Sequence, residues 1–151
     1  MTDWLFDAAF LIGVGIVVYA CWTIAPFVGL LVMQYSLHTA TYSPNQDTDD
    51  FFNDATNEVT GTNYTANGVT LASKTSVYDS ATDEWRFDAA DAVWTTATIA
   101  SIRYGVLWEN TAGASTTDPL LAYHDLGAQS VTAANFTVQF DATGIAKIDV
   151  T

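Results

Sequence analysis

Between Asp7 and Asp47 the chain has no aspartate, glutamate, lysine or arginine, and beyond Asp47 it turns Thr-rich and acidic. An uncharged run of that length has to be covered, whether by lipid, by the protein's own core or by a neighbouring subunit. The remainder must fold under its own negative charge. With 17 acidic residues against Lys74, Arg86, Arg103 and Lys147, the formal charge is −13. Such a chain repels a phosphate backbone, so nucleic acid is not expected as a partner. At 151 residues a single domain spanning 1–151, with one buried core, is expected. Cys21 stands alone, which leaves no internal disulfide framework and no thiolate-rich zinc site; it reads as a small packed hydrophobe.

The apolar stretch 8–33, AAFLIGVGIVVYACWTIAPFVGLLVM, is long enough on paper to cross a bilayer as a helix, at about 1.5 Å per residue against a core of roughly 30 Å. Its details point elsewhere. No lysine or arginine precedes Lys74 to orient such a helix, and Asp3 and Asp7 occupy the place where a secretory signal carries positive charge. Pro26 interrupts the run, glycines stand at 13, 15 and 29, and Ile12, Val14, Ile16, Val17 and Val18 favour extended backbone. The expectation is two buried segments, 11–24 and 27–37, as strands or as a strand and a short helix. On that reading 8–41 is an apolar segment packed on the domain or on a neighbouring subunit. Its burial by protein predicts that a charge at Val17 or Leu31 disrupts folding or assembly.

From Thr56 onward short β-prone runs alternate with turn clusters, the pattern of a mainly β domain over 56–150 built as an antiparallel sandwich or barrel. The expected strands are 56–61, 68–78, 84–88, 92–97, 99–108, 119–126, 135–140 and 145–150. Turns fall at 79–84 (DSATDE), 109–119 (ENTAGASTTDP) and 141–144 (DATG). Alternation in 136–140 and 146–150 predicts a last hairpin. In 99–108 it places Ile102, Tyr104, Val106 and Trp108 on one face, with Arg103 opposite as a salt-bridge partner for nearby carboxylates.

No catalytic, cofactor-binding or metal residue emerges. The cluster DTDDFFND (Asp47, Asp49, Asp50, Asn53, Asp54) has oxygen ligands suited to Ca²⁺ but lacks the glycine and terminal glutamate of an EF-hand loop. It reads instead as a short acidic helix or turn near 47–54, anchored by Phe51 and Phe52. His38 and His124 lack a second ligand at metal spacing, and Asp125 beside His124 belongs on the opposite face of a strand. No nucleophile elbow accompanies them, so the chain is not expected to be an enzyme. Trp85, Trp94 and Trp108, with Tyr64, Tyr78, Tyr104 and Tyr123, read as core or interface in preference to a carbohydrate face. The sequons at Asn63 and Asn135 are what chance supplies in so Thr-rich a chain.

An ordered series of segments resembles a family of small tailed-bacteriophage virion structural proteins. The segments are MTDWLFD (1–7), YSPNQDTDDFFND (42–54), EVTGTNYTANGVTLASKTSVYDSATDEWRFDAADAVW (58–94), IRYGVLWENTAG (102–113), TTDPLLAYHDLG (116–127) and NFTVQFDATGIAKIDV (135–150). Residues 8–41 depart from that pattern, where the family has a shorter and more polar segment. The resemblance implies capsid decoration on the head or a place on the tail, no enzymatic role, and location in the virion. Its implied partners are a major capsid protein or other virion proteins. Homo-oligomers are expected too, with trimers around symmetry axes as one form. The alternative of another class is a membrane-anchored surface β domain using 8–33.

Overall fold

The computed structural model describes residues 32–110 and 113–149. The readings placed on 8–31, including Cys21, Pro26, Val17 and Leu31, lie outside the described residues. The protein is mainly β, with antiparallel sheets throughout. Its strands are β1 (Met33–His38), β2 (Gly61–Thr62), β3 (Val69–Thr70), β4 (Thr75–Asp79), β5 (Glu84–Asp88), β6 (Ala92–Glu109), β7 (Leu120–Val138) and β8 (Ala146–Asp149). They fall into two compact units, one built from 32–72 and 90–139, the other including 73–89 and 140–149.

In the larger unit β6 is the spine. One edge of β6 pairs with β2 and β1, β1 pairs with β3, and the other edge carries β7. β1 shows that the end of the uncharged stretch belongs to the domain's own core, because Tyr35, Ser36, Leu37 and His38 are all fully buried. The sequence suggested two strands, 92–97 and 99–108, where the structure has one of 18 residues. Two residues of β6, Thr96 and Ser101, adopt positive φ of 49° and 59° at register shifts against β7. Each shift inserts one extra residue and restores the inward face, so Ala92, Trp94, Ala97, Ile99 and Ile102 are all buried. Asn135 Oδ1 accepts from the Thr96 N–H (3.0 Å), and Asn63 Nδ2 donates to the Thr96 carbonyl (3.0 Å). The two sequon asparagines thus satisfy backbone groups at the first bulge.

The smaller unit is a three-stranded sheet in the order β4, β5, β8. The 80–83 turn follows from Asp79, whose Oδ1 accepts from the Ala81 N–H (2.9 Å), with Asp83 at φ 55°. Trp85 is buried. Glu84 takes Lys147 (2.7 Å) and Arg86 (2.9 Å), which hold its carboxyl at about 2. The expected last hairpin does not form. Phe136 and Val138 pair with Trp94 and Ala92, whereas β8 pairs with β5. Alternation identified the faces at 136–138, whereas Ala146, expected to point inward, is exposed; alternation carries no information about which strand lies alongside. The DATG turn itself is present, with Thr143 N–H donating to Asp141 Oδ1 (2.8 Å).

Candidate docking groove along β7

The acidic cluster folds into a capped turn. A 3₁₀ helix spans Phe52–Asp54, and Asp54 Oδ2 accepts from the Asp50 and Phe51 N–H groups, 3.1 Å each. Phe52 anchors it by stacking on Trp108, with centroids 3.8 Å apart and planes at 6°. Phe51, expected to anchor as well, is exposed. Two residues earlier Asp49 organises the preceding loop. It accepts from Tyr42 Oη and from the Asn45 N–H, both 3.0 Å, and from Thr48 Oγ1 at 3.2 Å. Burial and Asp49 together push the Tyr42 hydroxyl up, so it remains a donor. Among the described residues no three His, Cys, Asp or Glu side chains are grouped to hold a metal ion.

This loop and turn lie against the start of β7. Leu120 N–H donates to the Asp50 carbonyl (3.0 Å), Phe52 N–H donates to the Asp118 carbonyl (2.9 Å), and Phe51 forms an antiparallel bridge with Pro119. Past that point the two segments diverge. They leave an open groove of about 560 Å³ lined by Tyr42, Pro44, Asn45, Gln46 and Asp49 on the loop, and by Val106 and Leu120–Tyr123 on the strands. Leu121 and Tyr123 are large apolar residues left 49% and 41% exposed. Tyr42, Tyr104 and Tyr123 form a run of edge-to-face contacts, with centroids 6.1 and 6.4 Å apart. The groove offers aromatic and aliphatic surface, side-chain amides and a carboxylate whose two oxygens already accept hydrogen bonds. That chemistry suits contact with a polypeptide.

The residues weighed for chemistry are held elsewhere. His38 Nδ1 donates to the Thr56 carbonyl (2.8 Å), which leaves Nε2 to accept from Ser36 Oγ (2.9 Å), and both side chains are fully buried. His124 meets Tyr35 Oη (2.8 Å) on one face of β7, while Asp125 pairs with Arg103 on the other. The strand alternation that separates His124 from Asp125, and the ion pair read for Arg103, are both present. Trp85, Trp94 and Trp108 are buried as packing residues, and Tyr64 stacks on Trp94.

Three features carried no sequence signal: the groove, the role of Asn63 and Asn135, and the partly buried Glu58. Burial pushes the Glu58 carboxyl up although Tyr64 Oη (2.6 Å) and the Asn67 N–H (2.7 Å) donate to it. Among the described residues no helix is long and apolar enough to cross a membrane. Compared with protein-family models, with curated proteins and with solved structures, the chain gives no match.

Proposed function

We propose that the chain is a structural protein of a bacteriophage virion that decorates the capsid head. In this reading it attaches by shape-specific protein–protein contacts and works as a homo-oligomer without enzymatic activity. The observation that carries the reading is the surface along the first half of β7: a strand edge beside a groove, with Leu121 and Tyr123 exposed on an otherwise strongly acidic chain. Exposed large apolar residues beside a sheet edge suit attachment to another protein, and a high net charge keeps unattached copies soluble. The ordered phage-like segments give that attachment its setting.

Purified particles test the proposal. The chain is expected in them at a fixed copy number per major capsid subunit, with density on the head surface. Density on the tail would move the role to a tail-associated protein. Absence from particles, with recovery in a detergent-soluble membrane fraction, would replace the proposal with a surface domain anchored through 8–33.

A further inference from the structure

Among the described residues β7 pairs only with β6, so one edge of a 19-residue strand carries no partner strand. Edge strands are usually blunted by lysine, proline or brevity. This strand has neither lysine nor proline, and its single charge, Asp125, is matched by Arg103. Among the described residues the 50–52 segment covers the edge at its beginning, through the Asp50–Leu120 bond. Register decides which peptide groups the open edge presents. Glu109 N–H donates to the Pro119 carbonyl (3.1 Å), so the odd-numbered residues at this end of β6 face β7. Leu107 and Gly105 are matched with Ala122 and His124. The peptide groups of Tyr123 and Asp125, alternating with these, therefore point away from β6 on the side of the open edge.

We propose that this edge is a strand-addition site, and that it takes an extended segment of a partner protein with small apolar residues at alternate positions and lysine or arginine at its flanks. The backbone row supplies affinity, and the groove beside Leu121 and Tyr123 receives the alternating side chains. The rim selects the sign of charge. Asp47 and Asp50 are exposed beside the groove, and no lysine or arginine occurs in 33–73 or in 104–146. A second copy would set equal carboxylates against that rim, with −13 on each chain. A basic partner segment meets one cation there, Arg103, whose charge Asp125 already pairs. The inference rests on the virion reading only in taking that partner to be a neighbouring virion protein.

The test uses the full chain and a short synthetic peptide of alternating valine and threonine capped by lysine at both ends, compared with the same peptide capped by glutamate. The lysine-capped peptide is expected to bind, to slow hydrogen exchange at the Tyr123 and Asp125 amides, and to bind at least about tenfold more tightly than its glutamate counterpart. Tyr123→Pro removes the outward N–H at a position where an edge strand tolerates proline, whereas Tyr123→Thr keeps it. With circular dichroism showing both variants folded, Tyr123→Pro is expected to bind at least about tenfold more weakly than Tyr123→Thr. Equal affinities, no binding of the lysine-capped peptide, or protection confined to other amides would overturn the site. Self-association of the chain that Tyr123→Pro abolishes would give the edge to a second copy and overturn the basic partner. If the wild-type chain occupies particles and Tyr123→Pro occupies them equally, the edge proposal fails while the virion role stands. If the wild-type chain is absent from particles, the virion role fails and the peptide result still decides the edge.

Discussion

A methyl group on Gly105 would land on the buried Tyr35 ring and its hydroxyl, with no room to shift. Burial pushes the Tyr35 hydroxyl up and the His124 imidazole down, so Tyr35 O–H donates to a neutral His124 Nδ1 across the strand pair. Gly105→Ala is therefore expected to cost about 1–3 kcal/mol of stability by overpacking, read as a lower denaturant midpoint with an unchanged slope. His38 leads to a second prediction. Its pKa is lowered from the ordinary 6.5 by burial, against which its bond to Thr56 acts. A depressed value means that the contribution of His38 is intact above pH 6.5 and is lost as pH falls below it toward the folded-state value. Each pH unit in that window costs at most about 1.4 kcal/mol for one histidine. His124, also lowered, acts in the same direction. Glu58, raised from 4.5, acts oppositely, favouring the fold as the pH falls toward that value. Thermal midpoints between pH 7 and 5 should fall, and His38→Gln should flatten part of that slope. An identical slope in the variant would remove His38 as the cause.

At the scale of elements, β6 keeps one face buried over 18 residues only because it gains an extra residue twice. Thr96 sits at φ 49°, a conformation unfavourable for a β-branched residue. Thr96→Gly should relieve about 1 kcal/mol of that strain and raise the unfolding midpoint. Deleting Thr96 should instead turn Ala92 and Trp94 to the opposite face and prevent stable folding. A deletion variant as stable as the wild type would show that the bulge does not set the register. The same bulges explain what was legible from sequence. Strand 84–88 was found at its observed limits because its five residues alternate without interruption. β6 read as two strands because Thr96 and Ser101 break the period of two without breaking the strand. β7 was found only at its ends, 119–126 and 135–140, since its middle is small, polar and mostly exposed. The faces of 136–138 were legible because side-chain alternation is local. Their pairing partners were not, because strands distant in sequence supply them.

For the molecule as a whole, composition disclosed the acidic charge, which shaped the functional proposal. The groove stayed hidden because it needs the loop that Asp49 gathers around Tyr42 and Asn45 to be brought against β7, which the Asp50–Leu120 contact does between segments about seventy residues apart. The charge gives the last prediction, one with two opposite signs. At −13, with only four basic side chains, most carboxylates face like charge or solvent, and this self-repulsion weakens the folded state. Added sodium chloride shortens the screening length to roughly 8–10 Å and below, so the melting temperature is expected to rise with salt. The ion pairs Glu84–Lys147, Arg86–Asp79 and Arg103–Asp125 are partly or largely exposed and lose little on screening. The proposed partner depends on the same carboxylates in the other direction. Binding of the lysine-capped peptide at the β7 edge should weaken over the salt range that stabilises the protein, with most of the loss in the association rate. A melting temperature that falls with salt would mean that the attractive pairs outweigh the repulsion. An affinity indifferent to salt would mean that the acidic rim does not select the partner's charge.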